Sequence, residues 1–456
     1  MNKEKVLIKA IKYRIKFNKD IYRILSVIQY DVFRIKNKAT SMAWDWQQFS
    51  FGYNERFGEF PKEKDFLGKV LFTDIYQELR GMGENISSST YNAAIKESVD
   101  KFKEQRLRIT RGEESIANYK KTGSIPIRES QIKGIEKLNS KTYMCNMSLL
   151  STKYVKELRI ERNDKTIKTQ FPITLMSGGS ASSILDRIIT GEYKLRDSRI
   201  TMDRKNRFFL AVVYQFTPEV KDGLNKDNII GIDIGVAVPA YLAVSNDGYY
   251  RQPVGDAKEI RNFQNQMESR KRALQRSRKW AGDGSVGHGT KTRIKPLEKL
   301  SGKIARYKEH KNHVWSRYII EEAVKNDCGT IQMEDLTGIA VDSPFLKTWS
   351  YYQLQEMITY KAKEIGIDVV KVKPTYTSSR CNKCGNIHFK EDKNSWRDTQ
   401  DRFKCMSCDW GHKFYVNADW NAALNISVFG IEDIIKEQLE VQKKHSIDVS
   451  EMQKEI

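Results

Sequence analysis

The chain contains no run of about 18 apolar residues, so nothing in it is built to cross a bilayer as a helix. Its first residues, MNKEKVLIKAIKYRIK, alternate charged and apolar side chains. They lack the unbroken apolar core of a signal peptide, so export is not expected. Cysteine is scarce: six in 456 residues, with none before Cys145. Cys145 and Cys328 stand alone, and the other four form two C-x-x-C pairs. In a chain that stays inside the cell this favours zinc over disulfides. Acid is short as well, with 58 Asp and Glu against 79 Lys and Arg, for a formal charge of +21. No fold requires that excess; an anionic partner explains it. The glycine-rich stretch AGDGSVGHGT lacks the Gly-Lys-Ser/Thr ending of a phosphate-binding P-loop, so no nucleotide site is read there. His288 within it reads as a solvated loop residue.

What is present is unevenly placed. Residues 251–320 hold eighteen Lys and Arg against six Asp and Glu, so more than half of the charge excess lies in seventy residues. Like charges at that density suit a surface that faces phosphates. At 456 residues several domains are expected. Residues 5–17 alternate as a half-buried strand does. A helical stretch follows, with Asp20 as candidate cap and Ile21, Ile24, Leu25, Ile28, Val32 and Phe33 at helical spacing. Trp44 and Trp46 read as core, as partner interface or as base-stacking residues, core being the commonest reading. Residues 71–110 look helical again, with Ser87–Thr90 as a start. From about 113 to 220 the pattern turns to strands: KTYMCNMSLL, KELRIERN, KTIKTQFPITLM and SRITMDRKNRFFLAVVYQF, with a hairpin turn at Asp203–Asn206. ASSILDRIITG reads as a short helix that Gly191 ends. These strands, with the first one, suggest a small barrel interrupted by a helical insertion. Phe216–Asn228 is a polar linker. Beyond it come an apolar strand bearing Asp233, two more strands, long charged helices over 257–282 and 295–326, and a buried-type strand ending in Glu334. A helix near 350–365, a strand at 367–373 and a helical tail complete the chain.

Two chemistries fall within Pro374–Ile426. Cys381, Cys384, Cys405 and Cys408 are spaced C-x2-C-x20-C-x2-C, at the edge of the usual two-knuckle range of a zinc ribbon. Four thiolates make a closed tetrahedral site, so this ion is structural rather than catalytic, and His388 and His412 are not needed as ligands. The second chemistry is acidic. Asp233, Glu334 and Asp419 lie on three separate elements, and hydrolysis of a phosphodiester with two divalent ions needs acidic ligands that converge in this way. Mg²⁺ prefers such oxygen donors. The order strand-Asp, strand-Glu, helix-Asp in a βββ-α-β-α-β layout is what an RNase H-type fold would produce.

GIDIGVAVPAYLAV, IQMEDLTGI and NADWNAALNI resemble the three RuvC motifs of type V CRISPR effectors and of transposon-encoded TnpB nucleases. The four-cysteine ribbon before the third motif is typical of both. The short length, NKATSMAWDW, GHGTKTRIKP and GTIQMEDLTGI together resemble the miniature type V-F CRISPR effectors. The resemblance implies a multidomain α+β protein. Its N-terminal β-barrel, the wedge domain, carries a helical recognition insertion. Its C-terminal RNase H-like RuvC α/β domain carries the inserted zinc ribbon. The corresponding spans are 1–17 and 113–220 for the wedge, 18–112 for recognition, 221–375 and 413–456 for RuvC, and 376–412 for the ribbon. The resemblance further implies a prokaryotic, cytoplasmic enzyme with two catalytic Mg²⁺ and one structural Zn²⁺. A guide RNA would pair with target double-stranded DNA beside a short, often T-rich motif, and one RuvC site would cut both strands. Two protein copies would share one guide RNA, and helix face 21–33 is the candidate contact. An arginine near the acids is also implied; Arg397 matches by position before F-K-C, with Arg402 as the alternative. Such a guanidinium makes sense as a clamp on the scissile phosphate. Some relatives carry a second zinc site near the N-terminus, which this chain cannot build without cysteines there. The rival readings are a TnpB-type nuclease guided by a transposon-end RNA, a guided or unguided DNA-binding protein without cleavage, and an unguided junction resolvase.

Overall fold

The computed structural model describes residues 6–161, 163–179, 181–203, 205–235, 237–277, 280, 282, 290–336, 350–389, 393–397, 399 and 401–452. The side chains of 290–295, 298–299, 301, 393–394 and 443–452 lie outside that description. So do His288 with most of its glycine-rich loop. No described helix is long and apolar enough to cross a membrane. The chain divides into two compact units, 1–217 and 218–456.

The first unit is built around β1 (Leu7–Ile15), whose alternating pattern buries Tyr13 and Ile15. α1 (Lys19–Phe57) follows, then α2 (Glu63–Leu67), α3 (Leu71–Glu78) and α4 (Ser88–Thr110). α1 starts at Asn18, whose side chain accepts from the backbone N–H groups of Asp20 and Ile21 at 3.0 and 3.1 Å. The expected cap, Asp20, is thus already inside the helix, where its charge suits the positive end of the dipole. Ser87 caps α4 as expected. The chain continues through β2 (Ile125–Ile127), β3 (Ile132–Asn139), β4 (Thr142–Ser148), α5 (Thr152–Glu161), β5 (Gln170–Met176), α6 (Ala181–Ile189), β6 (Lys194–Met202) and β7 (Phe208–Phe216).

The seven strands form one sheet in the order β2-β6-β7-β1-β5-β4-β3. β1, first in sequence, lies in the middle, paired along β7 from Leu7↔Phe216 to Arg14↔Phe209 and meeting β5 at its end. The sheet is open at β2 and β3: no ladder among the described residues closes it into the expected barrel. The first six residues of KELRIERN, expected as a strand, lie in α5, which buries Val155 and Leu158 three residues apart on one helical face. The hairpin at Asp203–Asn206 forms as read, with Asp203 Oδ1 accepting from the N–H groups of Lys205 and Arg207. α1 and α4 pack into one core with the sheet. Leu25, Ile28 and Val32 of the 21–33 stretch are buried in it, while Tyr30 of the same stretch is exposed. Trp44 and Trp46 pack against the same core.

The second unit holds a mixed sheet in the order β10-β9-β8-β11-β12. Its strands are β8 (Asn225–Asp233), β9 (Ala240–Val244), β10 (Asp247–Val254), β11 (Cys328–Glu334) and β12 (Asp368–Val372). β8, β11 and β12 run parallel, and β9 and β10 turn back as hairpins. The crossover from β8 to β11 carries α7 (Ala257–Ser277) and α8 (Thr290–Lys325), and α9 (Tyr351–Glu364) leads to β12. Three more helices follow: α10 (Lys393–Trp396), α11 (Ala418–Ile426) and α12 (Ile431–Met452). Ile230, Ile232, Ile331 and Met333 point into a core shared with Ile319, Ala323, Leu354 and Ile358 of α8 and α9. Strand alternation turns the intervening residues to the opposite face, which α11 covers.

Candidate metal centres

That alternation positions two of the three acids. The last registered pair of β8 and β11 is Ile232↔Met333, so Asp233 and Glu334 come next, level at the C-terminal ends of adjacent parallel strands. Both point away from the isoleucine core, and both are buried, at 7% and 8% exposure. The face they share is the one on which α11 lies. Its approach is tight: a Cβ on Gly231 would stand 2.2 Å from the Ala423 carbonyl oxygen. Only glycine permits that contact. Asn417 caps α11 by accepting from the Trp420 N–H at 3.0 Å, and Asp419 sits in the first turn. The three sequence-selected acids therefore meet at one place from three elements.

Burial dominates the electrostatics of all three. Burial pushes the Asp233 carboxyl well above its usual range, Glu334 and Asp419 push it further, and Arg397 opposes them. Burial also raises Glu334, against a hydrogen bond from Thr377. Asp419 is raised by burial, held back by Arg397 and raised again by Asp401. Like charges out of water disfavour ionisation together, and a cation among them removes the conflict. Their ligand atoms do not all lie within 4.8 Å of one another; among the described residues only the four cysteines do.

Between the two candidate arginines, the geometry separates clearly. Trp396 is buried and its carbonyl accepts from Lys404 N–H at 2.8 Å, which pins the end of α10. Arg397 follows directly, with a guanidinium nitrogen 3.8 Å from Asp419 Oδ1. Arg402 forms backbone bridges to Thr399 and Asn417.

The cysteine cluster is compact. Cys381 and Cys408 Sγ atoms are 3.8 Å apart, and those of Cys384 and Cys405 3.5 Å. Bonds of about 2.3 Å to a tetrahedral zinc give a sulfur–sulfur edge of about 3.8 Å, so the donor set fits that ion. Each knuckle closes on a left-handed glycine, Gly385 at φ 79° and Gly411 at φ 84°. His412 Nε2 faces the Cys405 carbonyl at 2.5 Å, and His388 stacks on Trp396. Neither histidine belongs to the cluster.

Five buried polar residues went unread in the sequence. Thr377 hydrogen-bonds to Glu334, Gln355 to the Glu334 carbonyl, and Asn421, Asn425 and Arg380 to one another across the base of the first knuckle. One signal existed: Asn417, Asn421 and Asn425 recur every four residues in a helix that is otherwise mostly apolar.

A family model described as the Cas12f1-like TNB domain matches residues 351–426. Over 428 residues the chain is 39% identical to a CRISPR-associated endodeoxyribonuclease Cas12f1 of Sulfoacidibacillus thermotolerans, covering 92% of this chain and 96% of that protein. Another Cas12f1, from Syntrophomonas palmitatica, is 32% identical over 413 residues, covering 83% of this chain and 80% of the relative. In three dimensions the chain resembles the protein of a solved Cas12f1–sgRNA–target DNA complex, with a TM-score of 0.65 over 90% of this chain and 83% of that one. At 20% identity the last comparison speaks for the fold.

Proposed function

Because the chain belongs to the Cas12f1 family of CRISPR-associated endodeoxyribonucleases, we propose that it is an RNA-guided nuclease that hydrolyses target double-stranded DNA at Asp233, Glu334 and Asp419. The family places the CRISPR reading ahead of a transposon-guided one. The observation that carries the site is the convergence of two buried acids at the ends of β8 and β11 with a partly buried one at the start of α11. The sheet order, with three parallel strands and an antiparallel hairpin pair, supports an RNase H-like, RuvC-type domain.

The donor set fits Mg²⁺, since three converging carboxyls, two of them buried, ask for a hard cation. Asp233, Glu334 and Asp419 would hold two such ions, whose chemistry when bound is to activate a water and stabilise the leaving oxygen. Glu334 keeps one oxygen engaged by Thr377 and presents the other. Arg397 is placed to contact a non-bridging phosphate oxygen beside Asp419 and to balance charge there. The cysteine cluster fastens the segment that carries Arg397. Sequence choice falls to pairing between guide RNA and target strand, while the protein contacts backbone and the flanking motif. The basic stretch of 251–320 supplies phosphate contacts.

We also propose that two copies act together, through a surface other than the 21–33 stretch, whose Leu25, Ile28 and Val32 are buried within the chain. The end of α1, the connection after it and α2 expose Phe49, Phe57, Phe60 and Phe66 at 44%, 60%, 59% and 48%. Residues 45–70 hold five acids and four bases, close to neutral in a chain of +21. An aromatic, neutral patch with interspersed charges of both signs suits a protein partner better than a phosphate backbone.

The deciding experiment compares wild type with Asp233→Ala, each purified with its guide RNA. The variant should bind matched DNA normally and fail to cut it with Mg²⁺ present. Cutting at the wild-type rate would refute the site.

A further inference from the structure

Thr377, which engages one oxygen of Glu334, is itself fully buried. Its hydroxyl donates to Glu334 Oε1 at 2.5 Å; the Pro374 carbonyl, at 3.4 Å, is the weaker alternative. The residue before it, Tyr376, has φ 63°, a left-handed conformation that bulky side chains rarely adopt. Strain of this kind persists where surrounding contacts over-determine it. Here the Tyr376 carbonyl accepts from the N–H groups of Ser379 and Arg380 at 3.1 and 2.9 Å, and the turn aims Thr377 at Glu334.

The same short segment holds α11. Asn425 Nδ2 donates to the Thr377 carbonyl at 2.9 Å and to the Arg380 carbonyl at 2.6 Å. Its Oδ1 accepts from the Arg380 guanidinium at 2.6 Å. One turn earlier, Asn421 Nδ2 donates to the Arg380 carbonyl at 2.8 Å and its Oδ1 accepts from the Asn382 N–H at 3.1 Å. Both asparagines are fully buried. Arg380, itself buried, reaches on to Gln438 of α12 at 2.8 Å and immediately precedes Cys381. On the other side, Gln355 Nε2 fixes the Glu334 carbonyl at 2.6 Å.

We infer that Tyr376–Asn382 is a positioning brace: Thr377 selects which Glu334 oxygen faces the ion site, and Asn421 and Asn425 fix α11, with Asp419, to the first cysteine knuckle. The coupling therefore runs from the cysteines to two acids through one continuous set of buried hydrogen bonds, separate from the loop that carries Arg397. A carboxylate with one oxygen held by a buried hydroxyl has one orientation instead of several, and a fixed orientation is what a two-ion site needs. Thr377 and Asn425 touch neither substrate nor ion; they act through Glu334 and Asp419.

This brace rests on the reading of those acids as ion ligands, so the test includes Glu334→Gln. Full-length protein with its guide RNA is assayed for DNA binding, for cleavage of pre-bound target, and for Mn²⁺ binding by electron paramagnetic resonance titration. Thr377→Val should bind guided DNA normally, cut about ten-fold or more slowly, and bind Mn²⁺ more weakly, as expected for losing a hydrogen bond to a charged group. Thr377→Ser, which restores the hydroxyl, should recover both cleavage and Mn²⁺ affinity. If Glu334→Gln is inactive but Thr377→Val matches wild type in rate and Mn²⁺ titration, the brace is refuted while the site stands. If Thr377→Ser is as defective as Thr377→Val, packing rather than the hydroxyl is responsible, and the brace is refuted again. If Glu334→Gln cuts normally, the site itself is wrong.

Discussion

Asp233 is an acid held among acids, and its proton affinity carries a stability consequence. Its folded pKa lies above the value of about 3.9 for an unfolded aspartate. The folded state then binds more protons than the unfolded one, so this group's contribution is fully present below the unfolded pKa and is lost as pH rises through the raised folded pKa. In chelator at neutral pH, Asp233→Asn should therefore melt at a higher temperature than wild type, and the gap should shrink as pH falls toward 4. Mg²⁺ should raise the wild-type midpoint and leave the variant's nearly unmoved. Calorimetry at several pH values checks both; a constant gap would mean that Asp233 does not bear this burden. At this scale the acids and cysteines were legible because their neighbours announce them: an acid in an apolar strand, a cysteine three positions from another. Thr377 and Asn425 were not, because their partners lie 43 and 48 residues away. The helix cap was misread by two residues because Asn18 and Asp20 both have capping side chains, and only backbone geometry chooses between them.

Among elements, the contact of α11 with β8 carries the most specific expectation. Gly231→Ala would place a methyl group within 2.2 Å of Ala423 O and 2.5 Å of Ser427 N. Backbone cannot yield as a flexible side chain can, so the helix must move and take Asp419 with it. Cleavage by the guided complex should fall at least ten-fold, a loss of about 1.4 kcal/mol or more of transition-state stabilisation. Gel-shift with guide RNA should be little changed. Cys405→Ser tests the ribbon in the same assays: cleavage should suffer more than guide binding, and equal loss would assign the cluster to the fold of the whole unit. Most strands and helices were legible from periodicity. α5 was not, because KELRIERN alternates over a few residues as a strand does, while Val155 and Leu158 share a face only on a helix. The closed barrel was an inference from strand count, and strand count does not decide whether β2 and β3 find each other.

For the molecule as a whole, one patch stands apart from the charge that dominates the chain. If the aromatic surface around Phe49 and Phe66 joins two copies, Phe49→Glu with Phe66→Glu should leave the fold intact, since both rings are already exposed. Native mass spectrometry of the variant with guide RNA should then find one protein per RNA where wild type shows two. An unchanged stoichiometry would remove this surface from consideration. That patch was not legible in the sequence, where its aromatic residues are spread among polar ones and nothing marks which of them stay exposed.

The order of the acids along the chain has a consequence for manufacture. β8 and β11 are synthesised well before α11, and the sheet that buries Asp233 and Glu334 lacks its cover until Asp419 has left the ribosome. Domains fold as units while the chain emerges, N-terminal parts first. A nascent or prematurely terminated chain that ends before α11 would carry the 1–217 unit and a sheet with two acids bared to solvent, but no complete set of ion ligands. On the proposed reading, the cell thereby makes the nucleic-acid-binding portion first and arms the cutting site late in translation.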